Sequence, residues 1–176
     1  METLQAIHTR RSIRKYRGEP VPEDVVHRLL EAAMMAPSAR NGQPWHFVVI
    51  RDRKLLAEIP HFHPNAQMAA HAPLGILVCG DVRLEGSPGY WPIDCAAATQ
   101  NLLLAAHDLG LGAVWTGVYP REERVSGFRR RLGLPEHIMP HSFVPLGYPA
   151  ESRTSESRYR ADRVHDDRWG PSPAAP

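Results

Sequence analysis

Between Ile93 and Leu109 the sequence IDCAAATQNLLLAAHDL distributes Ala96, Ala97, Ala98, Leu102, Leu103, Leu104, Ala105 and Ala106 over more than one face of a helix. A helix that is apolar on most sides belongs inside a structure. The segment therefore predicts a central, largely buried helix starting at Pro92 or Ile93, with Asp94 in its first turn and Gly110 ending it. Its small residues permit close backbone approach, and other elements must surround it. The chain has 176 residues, 43% hydrophobic and 23% charged, enough for one ordinary core. A single domain over residues 1–170 is expected, without repeats or a second core.

The surrounding elements can be read from periodicity. PEDVVHRLLEAAMMA, Pro22 to Ala36, spaces Val25, Val26, Leu29, Leu30 and Ala33 as an amphipathic helix with Pro22 at its start. Pro37, Asn41, Gly42 and Pro44 then force a loop. His46 to Ile50 reads as a strand, Asp52 caps a short helix through Ile59, and Leu74 to Cys79 is a second strand. Gly112 to Val118 predicts a third strand, Arg121 to Leu132 a basic helix and Ser142 to Leu146 a fourth strand. The polar segment 148–170 reads as an extended arm and 171–176 as a disordered tail. Alternation of helices and strands suggests a layered α/β domain on pattern alone.

Several chemistries are excluded. Twenty-one Lys and Arg against nineteen Asp and Glu leave a net charge of +2, too little to hold nucleic acid by bulk electrostatics. No apolar run approaches the roughly 20 residues of a membrane span, and a cytoplasmic protein is expected. Cys79 and Cys95 lack CxxC spacing and read as reduced core residues. GxSxG, HExxH, Walker A and a strand-to-helix GxGxxG are absent from the sequence. His61 and His63 could offer two metal ligands, but no acidic or cysteine ligand completes the set. They read as surface or loop histidines, and no metal is expected.

Three constellations remain, each with two readings. RRSIRKYR, Arg10 to Arg17, offers forked guanidinium donors from Arg10, Arg11 and Arg14 and a short donor from Ser12, suited to the oxygens of a phosphate. The alternative is a solvated basic helix end. In PSARNGQPW, Ser38, Asn41 and Gln43 could hydrogen-bond a heteroaromatic edge, or the segment is a turn with a core tryptophan. In GAVWTGVYP, Gly117 permits close approach of a flat ligand with its N–H free, or is an ordinary turn.

RRSIR, PSARNGQPW and WTG, in this order and followed by PLGYP and an arginine-bearing arm, resemble the FMN-dependent nitroreductase family over about Leu4 to Trp169. The resemblance shifts the expected fold from α/β to α+β: a central mixed sheet flanked by helices in αβα layers, forming homodimers whose C-terminal arms embrace the partner. It implies FMN as cofactor. Arg10, Arg11, Ser12 and Arg14 would bind its phosphate and part of the flavin edge, and Arg158 would close on the phosphate, with Arg153 and Arg160 as neighbouring candidates. Pro37, Ser38, Ala39, Asn41 and Gln43 would reach the flavin of the other subunit. Trp115, Thr116 and Gly117 would lie along the ring, with the Gly117 N–H near N5; many members carry a glutamate at the position of Thr116.

The implied activity is a ping-pong exchange in which NADH or NADPH gives hydride to the flavin and a nitroaromatic, quinone-like or other planar acceptor takes the electrons. The flavin carries the chemistry, so no protein side chain is expected to be catalytic. Tyr90 and Trp91, in the segment 83–92, are candidates to stack on an aromatic substrate, the alternative being two aromatics folded inward. A flavin-binding storage, delivery or sensing protein without substantial turnover is the competing function.

Overall fold

The structure, a computed structural model, describes residues 1–170; the expected disordered tail, 171–176, lies outside the described residues. The elements in chain order are α1 (Thr3–Thr9), α2 (Glu23–Met34), β1 (Trp45–Ile50), α3 (Arg53–Phe62), β2 (Leu74–Asp81), α4 (Trp91–Asp108), β3 (Gly112–Ala113), β4 (Thr116–Gly117), α5 (Glu122–Leu132) and β5 (Ile138–Gly147). Short 3-10 turns cover Ala39–Asn41, Pro64–His71 and Ala161–Arg163. Among the described residues no helix is long and apolar enough to cross a membrane.

The sheet runs β1-β2-β5, with β3 and β4 both pairing the far side of β5. These ladders are antiparallel. Of the expected mixed sheet, the parallel pairing among the described residues is confined to the isolated Ser12–Ala113 bridge. Between β1 and β2 the chain passes through α3 and the 64–71 turn and returns to the end where β1 stopped, pairing Ile50 with Gly75 and reversing the strand direction.

Alternation along the buried strands sorts side chains into two layers. Ile76, Val144 and Leu146 pack against Leu29 and Ala33 of α2 and Leu102, Leu103 and Ala106 of α4. Leu77 and Phe143 face the opposite layer, Leu56, Ile59 and Phe62 of α3 with Val125 and Phe128 of α5. The alanine-rich α4 is thus a core helix, and Gly110 at φ 76° turns the chain out of it. Asp52 caps α3 by accepting from Lys54 and Leu55 N–H.

The third strand expected over Gly112 to Val118 is broken into β3 and β4. Its partner carries Pro145, which accepts from Val114 N–H at 3.4 Å but has no N–H to return, so the ladder lapses between the two pieces. Both cysteines are buried and free, and burial pushes the Cys79 thiol up to about 12. His63 is corrected from a surface or loop residue to a fully buried one set edge-on to Phe128.

Candidate functional site

The basic segment begins at Arg10, the C-cap of α1, and runs extended from Arg11 onward. Ser12 bridges Ala113, and Ile13 N–H donates to Ala113 O at 3.0 Å. On its other side the arm closes along it: Arg17 N–H donates to Tyr148 O, Ala150 N–H to Lys15 O, and Arg14 N–H to a Glu151 carboxylate oxygen at 2.6 Å. These bonds fix the register of an arm that has no helix or strand over its first part.

Of the three arm arginines, the resemblance puts Arg158 first, and the arm's register separates their surroundings. Arg153 pairs with Glu151 at 3.4 Å and Arg160 with Asp162 at 2.9 Å. Arg158 forms no ion pair among the described residues, and neither do Arg10, Arg11 or Arg14. Arg11 and Arg158 line an open groove of about 650 Å³ with Ser157 and residues of the arm. Burial, then the charges of Arg11 and Arg158, lower the proton affinity of Arg10. Glu151 and Glu156 line the same groove, Glu151 being taken up by the Arg14 and Lys15 N–H groups and by Arg153; Arg10, Arg11 and Arg158 are the guanidinium groups left to meet an added anion.

A second open groove, about 440 Å³, adjoins the first through Glu151 and Arg153 and is lined by Arg14, Lys15, Gln67, Met68 and His71. Gln67 and His71 lie in the 64–71 turn, which carries no motif of its own, and sequence reasoning missed them.

The loop 37–43 is tightly determined. Ser38 Oγ accepts from Gln43 N–H at 3.0 Å, Gln43 Nε2 donates to Asn41 Oδ1 at 2.7 Å, and Ala39 N–H donates to Asp94 Oδ1 at 2.9 Å. Arg40, Asn41 and Gln43 all have positive φ, which non-glycine residues hold only where the surroundings over-determine them. Trp45 at the end of the segment is a core residue.

The segment 83–92 packs on this loop: a side-chain carbon on Gly42 would come within 2.7 Å of Leu84 O and Gly86 N. Arg83 forms two bonds to buried Asp81, at 3.0 and 2.7 Å, and Glu85 accepts from Gly89 N–H before the start of α4. Trp91 is corrected from a stacking candidate to a core residue, 7% exposed, because as the first residue of α4 it packs against Gly80 and Cys95. Tyr90 stays 49% exposed.

In the third constellation Thr116 is buried and its Oγ1 donates to Phe143 O at 2.7 Å. Arg124 of α5 donates to Gly117 O at 2.6 Å, while a side-chain carbon on Gly117 would meet nothing within 4 Å. Trp115 is half-buried, its ring 5.7 Å from that of His141, which is itself 6.1 Å from Trp91. Burial lowers His141 to about 4. Neither Arg124 nor His141 carries a sequence signal linking it to Gly117.

The structure does not bring all three constellations together within one chain. Asp94 in the first turn of α4 holds Ala39, whereas His107 in its last turn meets Thr9 at 2.8 Å, next to Arg10. Thirteen residues of helix put about 20 Å between these ends.

A family model described as "Nitroreductase family" matches residues 7–70 and 61–148, most of the chain. The chain belongs to the nitroreductase family. A nitroreductase relative from Methanothermobacter thermautotrophicus, provisionally named an NADH dehydrogenase/NAD(P)H nitroreductase, is 53% identical over 96% of this chain and 88% of its own length. A crystal structure with the same provisional name from Parabacteroides distasonis superposes with a TM-score of 0.91 at 43% identity, covering 95% of this chain and 98% of that one. A provisionally named nitroreductase from Desulfovibrio desulfuricans, solved in complex with FMN, matches at TM-score 0.83 and 33% identity over 97% of this chain and all of that one. The α+β nitroreductase fold, a central sheet with flanking helices, is therefore shared with solved structures.

Proposed function

We propose that this nitroreductase carries FMN and passes electrons from NADH or NADPH to a nitroaromatic, quinone-like or other planar acceptor, as a homodimer whose arms embrace the partner. A cytoplasmic setting fits its two unbridged cysteines. The observation that carries the reading is the convergence of Arg10, Arg11 and Arg158, none of them in an ion pair among the described residues although Glu151 and Glu156 line the same groove. The donor set fits a phosphate dianion, with Ser12 on the same extended segment.

FMN, when bound, supplies the hydride-accepting and electron-donating centre. The chain's own residues would hold and tune it. Arg10, Arg11, Ser12 and Arg158 would take the phosphate oxygens. Arg14, with Gln67 beside it in the adjoining groove, would offer donors and positive charge to the polar edge of the ring. Trp115, Thr116 and Gly117 would border the ring, Arg124 fixing the Gly117 carbonyl from behind. Pro37, Ser38, Ala39, Asn41 and Gln43 would come from the second copy, because α4 holds this loop away from its own chain's arginines.

The test is the absorption spectrum of the purified protein, reconstituted with FMN if necessary, followed by anaerobic addition of NADH or NADPH. Rapid bleaching of bound flavin is expected. A chain that cannot take up FMN would overturn the reading, and bound flavin that bleaches slowly or not at all would favour a storage or sensing protein.

A further inference from the structure

Resting on the FMN reading above, we propose that Tyr119 grips the planar electron acceptor and sets the preference for aromatic acceptors. Tyr119 stands two residues beyond Gly117, in the turn that follows β4, where the Val118 and Tyr119 N–H groups both donate to His141 O. Burial alternates along these residues: Thr116 and Val118 are in the core, while Gly117 is exposed and Tyr119 is 42% exposed. The face that Gly117 leaves open, with nothing within 4 Å of where a side chain would start, is thus continued by an aromatic ring two residues on.

That ring is held in place. Tyr119 N–H donates to His141 O at 3.0 Å, and the ring packs edge-on against buried Trp91, centroids 4.8 Å apart at 67°. Trp91, which the sequence nominates as a stacking residue, therefore acts as the wall that orients one. A ring fixed on one side by a core tryptophan and open on the other loses little freedom when it meets a flat ligand. Its hydroxyl has no hydrogen-bond partner among the described residues and is free to donate to a quinone or nitro oxygen. Tyr90, also half-exposed, directly precedes Trp91 in the chain, while the aromatic contact recorded for Tyr119 is with Trp91.

The test compares FMN-bound parent, Tyr119→Phe and Tyr119→Ala, with menadione and ferricyanide as acceptors at saturating NAD(P)H. For Tyr119→Ala, the ratio of kcat/KM with menadione to kcat/KM with ferricyanide should fall about tenfold, mainly through KM for menadione. Tyr119→Phe, which keeps the ring and controls for folding, should stay within about threefold of the parent ratio. An unchanged ratio in a Tyr119→Ala protein that retains flavin and bleaches with NAD(P)H overturns the proposal. So does a Tyr119→Ala protein of monomer mass beside a dimeric parent, which would assign the ring to the subunit contact. If the parent itself holds no FMN or does not bleach, the FMN reading fails first and the acceptor site falls with it.

Discussion

Asp94 Oδ1 accepts the Ala39 N–H at 2.9 Å, joining the first turn of α4 to a loop with three positive-φ residues, while Asp94 Oδ2 is buried without a hydrogen-bond partner. The carboxylate thus serves one bond and sits near the positive end of the helix dipole. Removing it in Asp94→Ala should cost about 1.5 to 3 kcal/mol, the worth of a charge-assisted bond. Asp94→Asn keeps an acceptor for Ala39 and should cost less. Urea midpoints of the two variants check this; equal losses would mean that charge at the helix end, and not the bond to the loop, is what matters.

At the other end of α4, the arginine cluster predicts a phosphate-selective defect. Arg10→Ala should weaken FMN by about 1.5 to 3 kcal/mol, one to two decades in Kd. Riboflavin, which lacks the phosphate, should be affected much less. Titration of apoprotein with both ligands separates this from a general disturbance, which would weaken them equally.

Gly117→Val tests the open face. The chain itself offers no obstacle to the new side chain, and valine suits a strand, so thermal stability should change little. Flavin content or NAD(P)H-driven bleaching should nevertheless drop, because the added bulk occupies the space assigned to the ring. A variant that binds FMN and bleaches like the parent would remove Gly117 from the site.

Elements whose determinants are local were legible in the sequence. Asp52 announces α3, the Ala96 to Ala106 run announces a core helix, and Gly110 ends it. Features set by distant partners were not. The break between β3 and β4 depends on a missing N–H at Pro145, some thirty residues away. α1 has one buried residue and no side-chain cap, so neither periodicity nor a start signal marks it. Among site residues, RRSIR and the 37–43 loop stand out by composition. Arg124 behind Gly117, Gln67 beside Arg14 and Asp94 beneath Ala39 become visible only when the fold brings them there. The resemblance already favoured Arg158; that Arg153 and Arg160 are engaged by Glu151 and Asp162 is visible only in the fold.

Two buried histidines make stability depend on acidity. Burial, then the charge of Arg124, lowers His63 to about 4, and burial lowers His141 to about 4, against an ordinary value of 6.5. A depressed value means that the unfolded chain takes up the proton first as pH falls. The stability each group contributes is complete above pH 6.5 and is lost as pH drops toward 4, at no more than about 1.4 kcal/mol per pH unit per histidine. His63→Leu removes the titrating ring from its buried place beside Phe128 and should flatten this slope. Urea melts at pH 7 and pH 5 decide it; a parent whose midpoint does not move between them would show that the rings are not held neutral.

The separation along α4 leads to a complementation test of the shared site. If each flavin rests on Arg10 of one copy and the 37–43 loop of the other, a chain carrying Arg10→Ala and a chain carrying Asn41→Ala should each form weak sites alone. In a two-fold dimer of one of each, one site combines both defects and the other combines neither. Random reassortment of equal amounts should therefore restore about a quarter of the parent's high-affinity FMN sites. The measurement is tight FMN binding after co-refolding of the two variants, with each refolded separately as reference. Sites built within one chain would stay defective in every mixture, so binding no better than the average of the separate variants would rule out the shared-site arrangement.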